Sequence, residues 1–130
     1  MNLIFVNLIK LPVFKRLIPS LYKKYIFFFK KYHKEILVNN VYYNLDLRHL
    51  IDRRFFFHKA YENELFIPLN HIIAENNVDF FLDIGSCWGV YSLRLAGIYK
   101  KLNIMAFDPI RSNINRLRFA IKKNRFKNIK

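Results

Sequence analysis

Two short segments of the sequence carry residue types that could form a ligand site. The first, DIGSCWG, follows an apolar run and contains two of the three glycines in the chain. Gly85 lets the backbone turn sharply, and Gly89 lets a helix begin close to a ligand because glycine has no Cβ. Backbone N–H groups at such a helix start can meet an anionic group. The stretch predicts a ligand-binding turn formed by Asp83, Ile84, Gly85, Ser86, Cys87, Trp88 and Gly89.

The second segment is NIMAFD, an apolar run that ends in Asp108. Ligands of open α/β sheets bind beyond the carboxyl ends of the strands, which is where both Asp83 and Asp108 are predicted to lie. A carboxylate at the position of Asp108 can accept two hydrogen bonds from the vicinal hydroxyls of a ribose. The turn and the acid together predict a site for a nucleoside-containing cofactor.

The spacing of the glycines separates two classes of such cofactors. Dinucleotide enzymes use G-x-G-x-x-G, whose middle glycine allows close approach of a pyrophosphate. Cys87 stands at that middle position, and no third glycine has the required spacing. The D-x-G-x-x-x-G spacing, with an acid ending the next strand, instead resembles the cofactor-binding motif of S-adenosylmethionine-dependent methyltransferases. A fragment of a nicotinamide-dependent oxidoreductase is the alternative.

A longer stretch resembles one family of methyltransferases. FLDIGSCWGVYSLRLA followed by AFDPIRSNINRLRFAIKKN is similar to the FkbM type. In that family D-x-G-x-x-x-G-x-x-(S/T) precedes a strand ending in acid-Pro and a helix with a patterned Asn and Leu. An upstream segment that includes Tyr61 and Glu62 is also similar, so the resemblance covers roughly residues 36–130.

The resemblance implies a role for the motif residues. Asp83, Gly85 and Gly89 would shape the pocket for the methionine end of S-adenosylmethionine, and Asp108 would bind the ribose. The family more often has Glu where Asp108 stands, and the shorter Asp still reaches ribose hydroxyls. The implied reaction is O-methylation of a hydroxyl on a sugar, glycan or other small metabolite. The predicted cofactor-binding residues are Asp83, Ile84, Gly85, Ser86, Cys87, Gly89, Asp108 and Pro109.

Hydrophobic periodicity predicts the elements that position these residues. VDFFLDI is typical of a strand buried on both faces of a parallel sheet, and NIMAFD predicts a second strand. A helix follows the turn, and another begins at about Ser112, with Arg116 facing outward. The residues predicted to face inward are Val90, Leu93, Gly97, Ile114, Leu117 and Ile121. This β-α-β-α order predicts an α/β, Rossmann-like fold whose core begins at about residue 78.

Upstream of this core the sequence predicts a small β-hairpin and a helical extension. ILVNNVYYNLDL forms two short strands around Asn39 and Asn40, which tolerate positive φ. Pro12 and Pro19 divide the N-terminal segment into pieces, of which LYKKYIFFFKKYHK is the most helix-like. Pro68 predicts a kink or a break in the helical pattern before the core.

The predicted core is incomplete for a fold of this class. It has two strands, and KNIK at the end of the sequence is the possible start of a third. Two parallel strands leave strand edges and an apolar sheet face uncovered. We therefore expect a basic, aromatic helical extension over residues 1–35 and the N-terminal part of a methyltransferase domain over residues 36–130. The expected partners are the acceptor and the remainder of a longer or split chain.

Composition limits the remaining alternatives. A single cysteine excludes an internal disulfide and a cysteine-cluster metal site, and it indicates a reducing compartment such as the cytoplasm. The four histidines show no metal-ligand spacing. The net charge of +14 accompanies enrichment in Lys, Asn, Ile, Phe and Tyr, which codon bias explains better than nucleic-acid binding.

The N-terminal charge leaves two interpretations open. Residues 1–34 contain eight Lys or Arg and no acid, interleaved with aromatic and aliphatic residues. Residues 10–34 could contact an anionic membrane surface, or the segment could pack its aromatic rings on the main domain and leave its lysines in water. A basic module that binds a membrane surface or nucleic acid is therefore the alternative from a different functional class.

Overall fold

The computed structural model describes residues 14–130 of the chain, and the predictions for residues 1–13, including Pro12, lie outside them. The described chain is a mixed α/β protein. Its elements are α1 (Phe14–Phe28), β1 (His33–Val38), β2 (Val41–Asp46), α2 (Leu50–His58), α3 (Asn63–Glu75), β3 (Phe80–Ile84), α4 (Val90–Ile98), β4 (Asn103–Phe107) and α5 (Arg111–Asn124).

The chain divides into two compact units. One contains the described residues up to Lys34 together with Leu45–Lys59, and the other contains Glu35–Asn44 and Ala60–Lys130. The predicted β-α-β-α order occupies the second unit. No helix among residues 14–130 has the length and apolar character that crossing a membrane requires.

The sheet of the second unit is parallel. Strands β3 and β4 pair in the register Phe80 to Asn103 and Ile84 to Phe107. On the other side of β4, the N–H of Ile104 donates to the carbonyl of Asn128 at 2.8 Å, and the N–H of Lys130 donates to the carbonyl of Ile104 at 3.0 Å. The prediction that KNIK begins a third strand is therefore confirmed at the level of its backbone pairing.

The prediction that VDFFLDI is buried on both faces is wrong. Alternate residues of β3 are exposed, up to 78% for Ile84. The same face of the sheet continues onto β4 with exposed Met105 and Phe107. A parallel sheet is buried on both faces only when helices cover both, and no helix of the described chain covers this one. The apolar composition of β3 therefore predicts that the strand pairs in a sheet, but it does not predict how far its side chains are buried.

The hairpin forms as predicted, and both prolines sit within helices. Asn39 and Asn40 have φ of +49° and +61° and connect β1 to β2. Helix α1 runs through Pro19 and α3 runs through Pro68, so the predicted breaks do not occur, while a kink at Pro68 stays a prediction. Tertiary packing can hold a helix past one missing N–H donor. In α1 that packing includes the ring of Tyr22, which stacks on Phe56 with centroids 5.5 Å apart.

The predicted helix LYKKYIFFFKKYHK is only partly correct. Helix α1 begins earlier, at Phe14, and ends at Phe28. Its last predicted residues, His33 and Lys34, belong to β1 instead. Helical spacing therefore identified the element but not its two ends.

Helices α4 and α5 turn the expected faces inward, with one exception. Val90, Leu93 and Leu117 are buried, and Ile114 and Ile121 are half-buried. The exception is Arg116, which is buried and not outward as predicted. Arg116 lies one turn from Asn113, and its guanidinium donates to the Asn113 side-chain oxygen at 3.4 Å. The buried cation therefore has a polar contact on the inner face.

Gly97 has a packing role. A Cβ on this residue of α4 would lie 2.7 Å from Cγ2 of Val41 on β2. The absence of a side chain thus allows the helix and the strand to approach closely. This agrees with the sequence-based interpretation of Gly97 as a close-packing position.

Candidate functional site

The carboxyl ends of β3 and β4 bring the two predicted segments together. The N–H groups of Gly85 and Ser86 donate to the carbonyl oxygen of Phe107 at 2.9 and 2.8 Å. Phe107 is the last residue of β4 and precedes Asp108. The turn after β3 is therefore fixed to the end of β4, and Asp83 and Asp108 lie at one edge of the sheet.

Asp108 is held by three hydrogen bonds from its own chain. Its Oδ2 accepts from the N–H of Cys87 at 2.9 Å. Its Oδ1 accepts from the N–H of Ile110 at 2.8 Å and from Nδ2 of Asn113 at 3.0 Å. Each carboxylate oxygen has two acceptor positions, so these bonds occupy both on Oδ1 and one on Oδ2. The geometry leaves Oδ2 one position for a ligand hydroxyl.

The backbone of the turn has three residues with positive φ at alternate positions. Gly85, Cys87 and Gly89 have φ of +80°, +53° and +85°. The left-handed region costs a residue with a Cβ about 1–2 kcal/mol, and the hydrogen bond to the Asp108 carboxylate offsets part of that cost at Cys87. The N–H of Cys87 thus already has an anionic partner within the chain.

The two glycines of the turn have different surroundings. A Cβ placed on Gly85 would meet no atom within 4 Å, so the space in front of this residue is open. A Cβ placed on Gly89 would overlap the side chain of Leu117 on α5. The missing side chain of Gly89 therefore allows α4 and α5 to pack together, whereas the sequence predicted that it would admit a ligand. The approach route to the turn lies at Gly85.

Asp83 is a partly buried carboxyl that braces the helix after the turn. Its Oδ2 accepts a hydrogen bond of 2.5 Å from the buried hydroxyl of Ser92 on α4. Burial raises the pKa of Asp83 above 3.8, the Ser92 hydrogen bond opposes that rise, and the negative charge of Asp108 adds to it. The two carboxylates are thus close enough to repel each other, and the site favours a cationic ligand group.

Replacing Asp83 by Asn tests this electrostatic arrangement. Because the pKa of Asp83 is raised from 3.8 by folding, the wild type loses stability as the pH rises through the window between the unfolded and folded values. Asn does not titrate and keeps an acceptor for Ser92. In urea unfolding, we expect Asp83→Asn to gain stability relative to wild type as pH rises, by at most about 1.4 kcal/mol per pH unit in that window. A pH-independent difference would contradict a perturbed Asp83.

The other predicted residues divide between interior and rim. The side chain of Ser86 is only 3% exposed, and its Oγ has no hydrogen-bond partner among the described residues. Trp88 lies in the core, edge-on to Tyr43 with ring centroids 5.7 Å apart. Ile84 and Pro109 are exposed. Ser86 is therefore a polar group that a bound ligand could satisfy.

Sequence reasoning assigned no individual role to two residues that support the site. Ser92 is the Ser or Thr that ends the glycine pattern, and it hydrogen-bonds Asp83. Asn113 is the patterned Asn of the second helix, and it hydrogen-bonds Asp108. In both cases the pattern contained the signal, because each position faces one of the two acids.

The segment with Tyr61 and Glu62 packs on the helix that follows the turn. The carboxylate of Glu62 accepts from the hydroxyl of Tyr91 at 2.8 Å. Burial and this carboxylate raise the pKa of the Tyr91 hydroxyl. Arg94, on the same helix, lies over the ring of Phe66 at 3.4 Å. These contacts fix the start of α4, and with it the turn, to residues that precede the sheet.

Comparison with known proteins gives one structural likeness. No protein-family model matches the chain, and no curated protein matches it. The described fold is similar to the solved structure of "putative transferase PH0793" from Pyrococcus horikoshii, with a TM-score of 0.51 and 17% identity. The match covers 75% of this chain and 34% of that one, so this chain spans about a third of its neighbour. At this identity the likeness shows a shared α/β fold.

Proposed function

We propose that the chain binds S-adenosylmethionine at the turn 83–89 and Asp108. In this proposal it is the cofactor-binding part of a Rossmann-like methyltransferase of FkbM type, with a hydroxyl of a sugar or other small metabolite as acceptor. The observation that carries the proposal is the meeting of Asp83, Asp108 and the open face of Gly85 at the ends of adjacent parallel strands. Ligands of α/β sheets bind at this edge.

The residues present fit this cofactor. Gly85 faces open space, Asp108 Oδ2 has an acceptor position for a ribose hydroxyl, and the buried Ser86 hydroxyl can serve a polar ligand group. When bound, S-adenosylmethionine supplies a methyl group on a positively charged sulfur, which a hydroxyl can accept by in-line displacement. In this chain the turn orients the ligand, and the two acids favour its positive charge.

A pyrophosphate suits the same turn poorly. The N–H groups of Gly85 and Ser86 are bonded to Phe107, and the N–H of Cys87 is bonded to Asp108. A dinucleotide would therefore add phosphate charge beside two carboxylates while few turn N–H donors are left to meet it. The turn therefore suits S-adenosylmethionine better than a nicotinamide dinucleotide. The structure described as "putative transferase PH0793" shares the fold, and that description is compatible with this proposal.

Calorimetric titration of the chain with S-adenosylmethionine and with NAD tests the proposal. We expect heat of binding with S-adenosylmethionine and none with NAD at the same concentrations. S-Adenosylhomocysteine, which lacks the positive sulfur, should bind through the same ribose contact and serves as a matched ligand. Binding of NAD without binding of S-adenosylmethionine would overturn the proposal and favour the oxidoreductase alternative.

A further inference from the structure

Helix α1 carries apolar side chains on two sides. Only one of these sides packs against other described residues of the compact unit that contains the helix. On the inner side Ile26 is fully buried, and Tyr22 contacts the rings of Phe56 and Phe57 with centroids 5.5 Å away in both cases. These contacts account for the packing of α1 within its unit. The other side of the helix remains exposed in the part of the chain that the structure describes.

The opposite side forms an outer stripe of exposed apolar residues. At 100° per residue, these side chains fall within an arc of about 80°. The most exposed of them, Phe28, has 81% of its surface accessible. Isolated apolar residues on a surface are ordinary, but a continuous stripe along one helix marks an interaction surface. The outer stripe consists of Leu17, Leu21, Tyr25 and Phe28.

Aromatic rings and lysines surround the end of this stripe. Phe29 is exposed and packs its ring 4.7 Å from that of Tyr25 and 5.0 Å from that of Phe28. The chain has no acidic residue before Glu35. Aromatic rings and cations together are typical of the boundary between lipid headgroups and acyl chains. The exposed lysines beside the stripe are Lys24, Lys30 and Lys31.

We propose that the outer stripe of α1 docks the protein on an anionic lipid surface. The 15-residue helix is about 22 Å long at 1.5 Å per residue, so it would lie in the plane of the interface and not cross it. The apolar stripe enters the boundary region while the lysines meet lipid phosphates. This surface is independent of the cofactor site, because it belongs to a different unit of the chain.

A second copy of the chain and a nucleic acid fit the outer stripe less well than a lipid surface does. A second copy of the chain packed through the same stripe would place lysines against lysines with no acid to pair them. A nucleic acid would attract the lysines but leave the apolar stripe without a matching surface. An anionic bilayer satisfies both features of the helix at once.

Vesicle flotation with the full chain tests this docking. We expect the protein to float with vesicles of phosphatidylcholine mixed with phosphatidylglycerol and to stay behind with phosphatidylcholine alone. Phe28→Ser should remove apolar contact, and the pair Lys30→Glu and Lys31→Glu should weaken partitioning about 25-fold or more, at about fivefold per lysine. Phe28 is exposed, so its replacement should leave the thermal unfolding midpoint unchanged.

The matched control is the pair Lys122→Glu and Lys127→Glu, which changes net charge equally at exposed positions of the other unit. These variants should float like wild type. Equal loss in the control would overturn the proposal, because it would indicate attraction by net charge alone. Dimerisation that Phe28→Ser abolishes, or RNA binding without vesicle binding, would also overturn it in favour of a second copy or a nucleic acid.

Discussion

Gly89→Ala is expected to destabilise the protein by about 2–5 kcal/mol. The backbone at Gly89 has φ of +85°, which costs any residue with a Cβ about 1–2 kcal/mol. The added methyl also overlaps Leu117, and overpacking of this kind costs about 1–3 kcal/mol. The total free energy of unfolding of a small domain is about 5–15 kcal/mol, so urea unfolding should detect the loss easily.

Gly85→Ala is the matched control. Its φ of +80° carries a similar backbone cost, but its Cβ would meet no atom within 4 Å. We therefore expect a loss of only about 1–2 kcal/mol. The double variant Gly89→Ala with Leu117→Ala should be less destabilised than the sum of its single variants, because the overlap is gone. Equal effects of alanine at Gly85 and Gly89 would contradict the packing role of Gly89.

The part of the fold that could be predicted is the part encoded locally. The apolar run of β3, the glycine turn and the helical spacing of α4 each depend on residues a few positions apart. The hairpin around Asn39 and Asn40 is local in the same sense, because these residue types tolerate positive φ. Such elements leave a pattern in the sequence that a single chain can display.

Features that depend on distant partners could not be predicted. The exposure of Ile84 depends on whether another element covers the sheet, and the strand pattern contains no information about this. Helix α1 passes Pro19 with support from α2, which comes about thirty residues later. The three donors to Asp108 come from two separate segments, the turn after β3 and the residues after β4. The candidate acids could thus be named from sequence, but their hydrogen-bond partners could not.

Asp108→Ala is expected to reduce the affinity for S-adenosylmethionine about 10- to 150-fold. A hydrogen bond to a charged acceptor contributes about 1.5–3 kcal/mol, and each 1.4 kcal/mol is tenfold in affinity. One ribose hydroxyl is expected on Oδ2, because the other acceptor positions are occupied by Cys87, Ile110 and Asn113. Calorimetric titration measures the change. The same variant should lower the thermal midpoint, since those three donors lose their acceptor.

Two further variants distinguish the role of Asp108 in ligand binding from its role in holding the turn. Asn113→Ala removes one donor to Asp108 and leaves Oδ2 unchanged, so stability should fall while affinity changes by less than about threefold. Asp108→Glu keeps the charge on a longer side chain that still reaches ribose hydroxyls, and it should retain most of the affinity. If Asp108→Ala lowers stability but not affinity, Asp108 acts only as the residue that holds the turn against α5. The prediction that Asp108 binds the ribose would then be wrong even if the chain binds S-adenosylmethionine, because the affinity of the chain and the contact at Asp108 are measured separately.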